Sequence, residues 1–127
     1  SGVTIKLSLQ ENVPMFKFDA RQLKEVLMNL SQNAIQAMQN GGTLEIKTVV
    51  IDEKVIINVT DTGEGISENN LDKIFTSFFT TKEGGMGLGL SIVQKIIESH
   101  GGKISCTSQP VKGTTFEIIL PMERGQL

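Results

Sequence analysis

Trp and Tyr are missing from the 127 residues, and Cys and His occur once each. A single cysteine rules out an internal disulfide framework, and with one histidine beside it no four-ligand structural zinc site can be built. No apolar run approaches the roughly 18 residues that span a bilayer, so the chain reads as soluble, without a membrane segment. Neither charge sign is in excess: 12 Lys+Arg stand against 14 Asp+Glu, a formal net charge of -2. That balance gives no reason to expect nucleic acid or an anionic membrane as a partner. An initiator Met and a charged leader are also lacking, and Ser1-Gly2 reads as a cloning scar or as a cut inside a longer protein. What is present is ordinary for a globular chain, with 39% apolar and 20% charged residues. The length implies one domain over residues 1–127, able to bury about two-thirds of its unfolded surface.

Residues 3–9 alternate apolar and polar, the period of a half-buried strand. Phe16-Lys17-Phe18 repeats the alternation after Pro14. Asp19 is a helix N-cap with Gln22 at the capping-box position, and Leu23, Val26, Leu27, Leu30, Ala34, Ile35 and Met38 follow at helical spacing until Gly41-Gly42. Residues 43–50 and 54–60 read as strands joined by an Asp52-Glu53 turn. Ser67 caps a short helix through Leu71 and Ile74, and residues 88–100 form another helix, ended by Gly101-Gly102. Residues 103–108 and 114–120 make a last strand pair around a turn over 110–113. Interleaved elements with dominant hairpins imply an α/β (α+β) two-layer sandwich, a mixed or antiparallel sheet with helices on one face.

Common phosphate-binding motifs fail. Gly102-Lys103 is followed by Ile104, not the Ser or Thr of a P-loop, and Leu90 and Ile92 stand where a dinucleotide fingerprint needs glycine. A different glycine set remains. Gly85-Met86-Gly87-Leu88-Gly89-Leu90 runs straight into a helix, where backbone N–H groups and the helix dipole can cradle phosphates. Lys82, in an aperiodic stretch over 80–87, could add a point charge. Asp61-Thr62-Gly63-Glu64-Gly65-Ile66 follows a strand, which places a carboxylate to accept from an exocyclic amine such as adenine's; by itself it is also ordinary turn chemistry. Asn29 and Asn33, four apart, share a helix face at about 6 Å, and a carboxamide oxygen there suits Mg²⁺ shared with phosphates or simply bonds to solvent and backbone.

Taken together and in order, these segments resemble the ATP-binding catalytic domain of sensor histidine kinases, in the superfamily shared with gyrase, heat-shock chaperone and mismatch-repair ATPases. Asn29-Leu30-Ser31-Gln32-Asn33-Ala34 is similar to the N box, and residues 61–65 to the first glycine box. Phe75-Thr76-Ser77-Phe78-Phe79-Thr80-Thr81-Lys82 is similar to the F box and its tail, residues 85–90 to the second glycine box, and Gly113-Thr114-Thr115-Phe116 to the terminal G-T element. The likeness covers roughly residues 5–121.

The resemblance implies a Bergerat-type fold, a mixed and mainly antiparallel sheet of about five strands with about three helices on one face. It implies ATP and Mg²⁺ as cofactors. Asn33 would ligand the metal with Asn29 beside the phosphates, and Asn29, Asn33 and Lys82 would be the catalytic set. Asp61 would hold the adenine amine, directly and through water shared with Thr114, while Gly63, Gly65 and Ile66 line the base. Lys82, Gly85, Gly87, Leu88, Gly89 and Leu90 would meet the phosphates, under a lid formed by residues 80–87. Many family members carry Lys three residues after the second N-box Asn; this chain has Gln36, which leaves Lys82 as the main cation.

Asn29 also stands where the superfamily's ATPases place a water-activating Glu, and a carboxamide cannot act as a base at neutral pH. That favours transfer to a histidine over hydrolysis; the rivals are a serine kinase or ATPase on the same fold, or a non-catalytic nucleotide sensor. His100, before Gly101-Gly102 at a helix end, suits the dipole rather than phosphate acceptance. The acceptor is then expected on a separate dimerisation domain of the same receptor, with a response regulator downstream. The fragment itself would be monomeric and cytoplasmic, in a receptor that is free or membrane-anchored. Phe75, Phe78 and Phe79 are expected to pack under the lid or against a partner, and Cys106 to be an inert strand thiol.

Overall fold

Eight elements follow one another in the computed structural model, which describes residues 2–9, 18–76 and 89–122: β1 (Val3–Ser8), α1 (Ala20–Gln36), β2 (Gly42–Ile51), β3 (Lys54–Asp61), α2 (Glu68–Leu71), α3 (Gly89–Ser99), β4 (Lys103–Gln109) and β5 (Gly113–Pro121). The strands form one sheet in the order β1-β2-β3-β5-β4. β1 runs parallel to β2 and every other pairing is antiparallel. The expected mixed, mainly antiparallel five-stranded sheet with three helices is what the chain builds. A parallel neighbour cannot be reached through a tight turn, and α1 is the crossover that links β1 to β2. Among the described residues no helix is long and apolar enough to cross a membrane.

Alternation along the strands decides which face is covered. Val55, Ile57 and Val59 of β3 pair with Leu120, Ile118 and Phe116 of β5, and all six are buried. Val26, Leu30 and Ala34 of α1 and Val93, Ile96 and Ile97 of α3 close over them. Each large side chain so buried contributes roughly 1.5–3 kcal/mol of transfer free energy. The opposite face carries Lys47, Asn58, Glu117 and Ser105 in one cross-strand row, and none of them is buried.

Local signals mark the ends of elements, with three departures. Asp19 is the N-cap of α1 and accepts from the N–H groups of Arg21 and Gln22. The capping-box reciprocation expected of Gln22 is made by another group: the Asp19 N–H donates to His100 Nε2 at 3.2 Å. α1 ends at Gln36, short of Met38, because the Met38 N–H tightens onto the Ile35 carbonyl and the Ala37 carbonyl accepts from Glu64. Ser67 holds the N-cap position of α2 but makes no side-chain cap bond, and α2 stops at Leu71. The Phe16-Lys17 strand signal lies outside the described residues. α3 ends as expected at its glycines: Gly102 N–H to Ile97 O and Gly101 N–H to Glu98 O, with Gly101 at φ 78, make a Schellman motif.

His100 therefore ties two helix ends together. Its Nδ1 lies 2.8 Å from the Ile96 carbonyl, which can only accept, so the proton sits on Nδ1 and Nε2 is left to accept from Asp19. The ring also stacks on Phe18 with centroids 3.7 Å apart and planes at 9°. His100→Ala removes the N-cap contact and the stack together, and should cost about 1–2 kcal/mol in a urea titration. A midpoint equal to wild type would show that this clasp contributes nothing.

Candidate functional site

The apolar rows between β3 and β5 end in a polar one. Next after Val59↔Phe116 and Thr60↔Thr115 comes Asp61↔Thr114, on the covered face, with Asp61 6% and Thr114 5% exposed. Burying a carboxylate and a hydroxyl in a row that could be apolar is costly unless both have work to do. One Asp61 oxygen accepts the Gly63 N–H at 2.8 Å, so the side chain also shapes the loop that follows it.

That loop is held on both sides. The Glu64 N–H donates to the Ala37 carbonyl at the end of α1, and a Cβ on Gly63 would collide with the same carbonyl, so only glycine permits the approach. On the β4–β5 side Gly65 lies against the Gln109 carbonyl, and the Ile66 N–H donates to Ser108 Oγ at 2.7 Å. The Glu64 carbonyl accepts from Val111 at 2.7 Å. Val111 is β-branched, at φ 70 and 86% exposed, a combination tolerated only where the surroundings impose it.

α1 supplies a second wall. Asn29, Asn33 and Ala37 recur every four residues and so share one face. Ala37 meets the Gly63–Glu64 loop at one end of that face, while at the other a Cβ on Gly89, the first residue of α3, would stand 3.2 Å from Asn29 Oδ1. Two turns of helix, about 12 Å, thus run from the buried polar row to the start of α3.

Of the residues singled out by sequence, Asn29, Asn33, Asp61, Gly63, Gly65, Ile66, Gly89 and Thr114 gather along this track, and Leu90 follows Gly89 as a half-buried residue of α3. Lys82, Gly85, Gly87 and Leu88, with the whole of the expected lid over 80–87, and Phe78 and Phe79 lie outside the described residues. Phe75, half-buried, packs edge-on against Phe116 at 6.2 Å, at the edge of the core. Sequence reasoning missed Ser108 and the Ala37 carbonyl. The first had a signal, since a strand pair closed by a turn over 110–113 sets Ser108 opposite Thr114; a backbone carbonyl has none. An open apolar groove of about 430 Å³ along the first turns of α1, lined by Ala20, Leu23, Lys24, Leu27, Met28 and Ser31, contains none of these groups.

Cys106 sits behind the polar row. Burial, with the Asp61 charge adding to it, pushes its thiol up from 9.0 to about 12, which makes it inert as a nucleophile. A thiol that holds its proton longer when folded supports the fold below the unfolded value, and that support is lost as pH rises from 9.0 towards about 12. Cys106→Ala should flatten the alkaline limb of the stability curve relative to wild type. Parallel limbs in urea titrations over that window would refute the assignment.

The comparison with known proteins decides the family. Residues 18–124 match the model described as histidine kinase-, DNA gyrase B-, and HSP90-like ATPase. The chain belongs to that family. It is 42% identical over 120 residues to the sensor histidine kinase ZraS of Escherichia coli K12, covering 94% of this chain and 26% of that protein. It is 42% identical over 121 residues to sporulation kinase A of Bacillus subtilis, covering 95% of this chain and 20% of that one. The chain thus spans about a quarter or a fifth of the curated relatives it matches. Among solved structures, the catalytic domain of histidine kinase ThkA aligns with TM-score 0.84 at 38% identity, over 94% of this chain and 79% of that one. Full-length ShkA in complex with AMPPNP aligns with TM-score 0.88 at 27% identity, over 99% of this chain and 27% of that one. The five-stranded sheet and its helices are therefore the histidine kinase ATPase fold.

Proposed function

We propose that this chain is the ATP-binding catalytic domain of a sensor histidine kinase, which hands the γ-phosphate of Mg-ATP to a histidine on a separate dimerisation domain. The observation that carries the reading is the α1 face of Asn29, Asn33 and Ala37, which runs from the loop after the buried Asp61–Thr114 row to Gly89 at the start of α3. Its length of about 12 Å suits a nucleoside triphosphate laid from base to terminal phosphate. Asp61 accepts from the exocyclic amine of adenine and shares a water with Thr114, while Gly63, Gly65 and Ile66 line the base. Lys82 and the backbone of Gly85, Gly87, Leu88, Gly89 and Leu90 take the phosphates.

Asn33 fits the metal by its chemistry: its half-buried carboxamide oxygen is a hard, neutral ligand of the kind Mg²⁺ takes, and it would hold the ion beside the phosphates. When bound, the ion neutralises phosphate charge and aligns the leaving group. The acceptor imidazole nitrogen bonds to the γ-phosphorus as the bridging oxygen leaves with ADP. This chain orients the phosphates and excludes water; Asn29, unable to take a proton, does not activate water as a competing nucleophile.

The likeness to a sensor histidine kinase and a sporulation kinase supports transfer over hydrolysis, and the AMPPNP complex of ShkA supports an ATP-like ligand. The acceptor domain of the same receptor and a response regulator follow as partners, and a cytoplasmic location with them. The test is to titrate Mg-ATP by calorimetry, then add a dimerisation domain bearing the acceptor histidine. Acid-labile, base-stable phosphate on that domain is expected. Steady release of inorganic phosphate without acceptor, or acid-stable phosphate on it, would overturn the reading.

A further inference from the structure

The helical layer is narrower than the sheet beneath it. Strands stand about 4.8 Å apart and packed helices about 10 Å apart, so one helix covers two strands. α1 lies over β2 and β3, while α3 and the short α2 lie against β4. That leaves β1, at the sheet edge. Ile5 and Leu7 are in register with Leu44 and Ile46, which face the core, so they point to the helix side of the sheet. Leu44 is 1% exposed, yet Ile5 is 60% and Leu7 59% exposed, and among the described residues no helix covers them. α1 adds a second apolar wall. On a helix of 3.6 residues per turn, Leu27, Met28 and Ser31 lie on the flank opposite to Asn29 and Asn33. Asn29 faces the start of α3, so this outer flank faces β1. The open groove along the first turns of α1 lies on it, and Met28 and Ile35 are exposed there. The charges beside the groove are Arg21 and Lys24, both exposed. Arg21 stands in the first turn, where a cation opposes the helix dipole, and beyond the Asp19 cap that turn holds no acidic residue.

We propose that the corner between β1 and the outer flank of α1 docks one amphipathic helix of a partner protein, with an apolar stripe and carboxylates at the end that meets Arg21 and Lys24. A helix laid on Ile5 and Leu7, about 10 Å from α1, completes the layer over the fifth strand. Its apolar stripe takes two walls out of water at once, β1 below and the flank of Leu27 and Met28 beside it. Its carboxylates supply the charge that the two cations of α1 lack on their own helix. A partner without carboxylates there would bury the same apolar surface and gain nothing from the cations. The corner lies across α1 from Asn29 and Asn33, so a helix seated in it leaves the nucleotide side of α1 open.

The probe is a designed three-heptad peptide with Leu at positions a and d and Glu at e and g, set against the same peptide with Lys at e and g. Each is titrated into the 127-residue chain and followed by amide shifts in NMR spectra. Shifts are expected at residues 5–9 and along the outer flank of α1. The Glu peptide should bind about tenfold tighter than the Lys peptide, since two ion pairs formed with one become two repulsions with the other. Arg21→Glu combined with Lys24→Glu should invert that order. Leu7→Ser should weaken the Glu peptide about tenfold by removing an apolar contact, and Met28→Gln repeats the test from the other wall. These side chains are exposed, so the variants should fold and bind ATP as wild type does. No binding of the Glu peptide, equal affinity for the two peptides, or shifts confined to other residues would overturn the inference. Sedimentation showing that the chain pairs with itself, and that Leu7→Ser abolishes the pairing, would assign the corner to a second copy and overturn it as well.

Discussion

Asp61→Asn is expected to weaken ATP binding about 100-fold with little change in melting temperature. The native side chain ends β3, is buried, and gives one oxygen to the Gly63 N–H at 2.8 Å. Asparagine has the same shape, so the loop should survive. The Gly63 N–H will select the amide oxygen, since it needs an acceptor, and the NH₂ group then occupies the place of the second carboxylate oxygen. A donor there faces the adenine amine, which is also a donor. Losing a charge-assisted hydrogen bond and leaving buried donors unpaired is worth about 2–3 kcal/mol, which is roughly the stated factor. The same geometry makes a sharper claim about base preference. Inosine triphosphate carries a carbonyl where ATP carries the amine, so the variant should gain on it relative to ATP by at least tenfold. Calorimetric titration of both nucleotides into both proteins checks this. Equal losses for the two bases would mean that the substitution acts by disturbing the loop and that Asp61 does not read the amine.

Much of this arrangement is legible without coordinates because its signals are local. The period-2 runs of β3 and β5 set Val55, Ile57 and Val59 on one face, and the polar residues that interrupt the pattern at its end, Asp61 and Thr114, are the ones that the register brings together. The glycines after Asp61 mark close approaches that only glycine permits, and the one at the end of α3 marks a left-handed helix stop that glycine favours. What was not legible depends on partners far along the chain. The Asp19 N–H finds its acceptor on His100, 81 residues away, so the local capping box with Gln22 was the only candidate visible beforehand. α1 ends early because the Ala37 carbonyl serves Glu64, a contact between backbone atoms that leaves no trace in residue type. The parallel pairing of β1 with β2 places an edge strand by way of the whole crossover, and nothing within residues 3–8 specifies it. Ser108 falls between these cases: its hairpin was foreseen, but its importance comes only from the third strand, where Asp61 extends the row.

Gly113→Ala should be among the most damaging single substitutions in the chain, at a cost above about 3 kcal/mol. Gly113 opens β5 at φ 119, a conformation that an L side chain adopts only under strain. A Cβ there would also run into the Asp61 carbonyl oxygen and lie 3.0 Å from Thr62 Cα. Both obstacles are backbone of the central strand and its following loop, so no rotamer change relieves them. Gly101 is the control. It too has a positive φ, 78, but a Cβ there would meet only Pro121 Cγ at 3.4 Å, an ordinary contact. Gly101→Ala then bears the left-handed strain alone, about 1–2 kcal/mol. For 127 residues a total stability of roughly 6–19 kcal/mol is expected, so the first variant gives up a large share and the second a small one. Function should separate them further. To fit a methyl group β5 must move away from Asp61, and that parts Thr114 from Asp61, so Gly113→Ala should lose ATP affinity even where it is still folded. Gly101→Ala, at the far end of α3, should bind ATP as wild type does. Unfolding free energies from urea titrations within about 1 kcal/mol of each other, or equal ATP affinities in the folded state, would show that the approach of β5 to Asp61 does not depend on glycine.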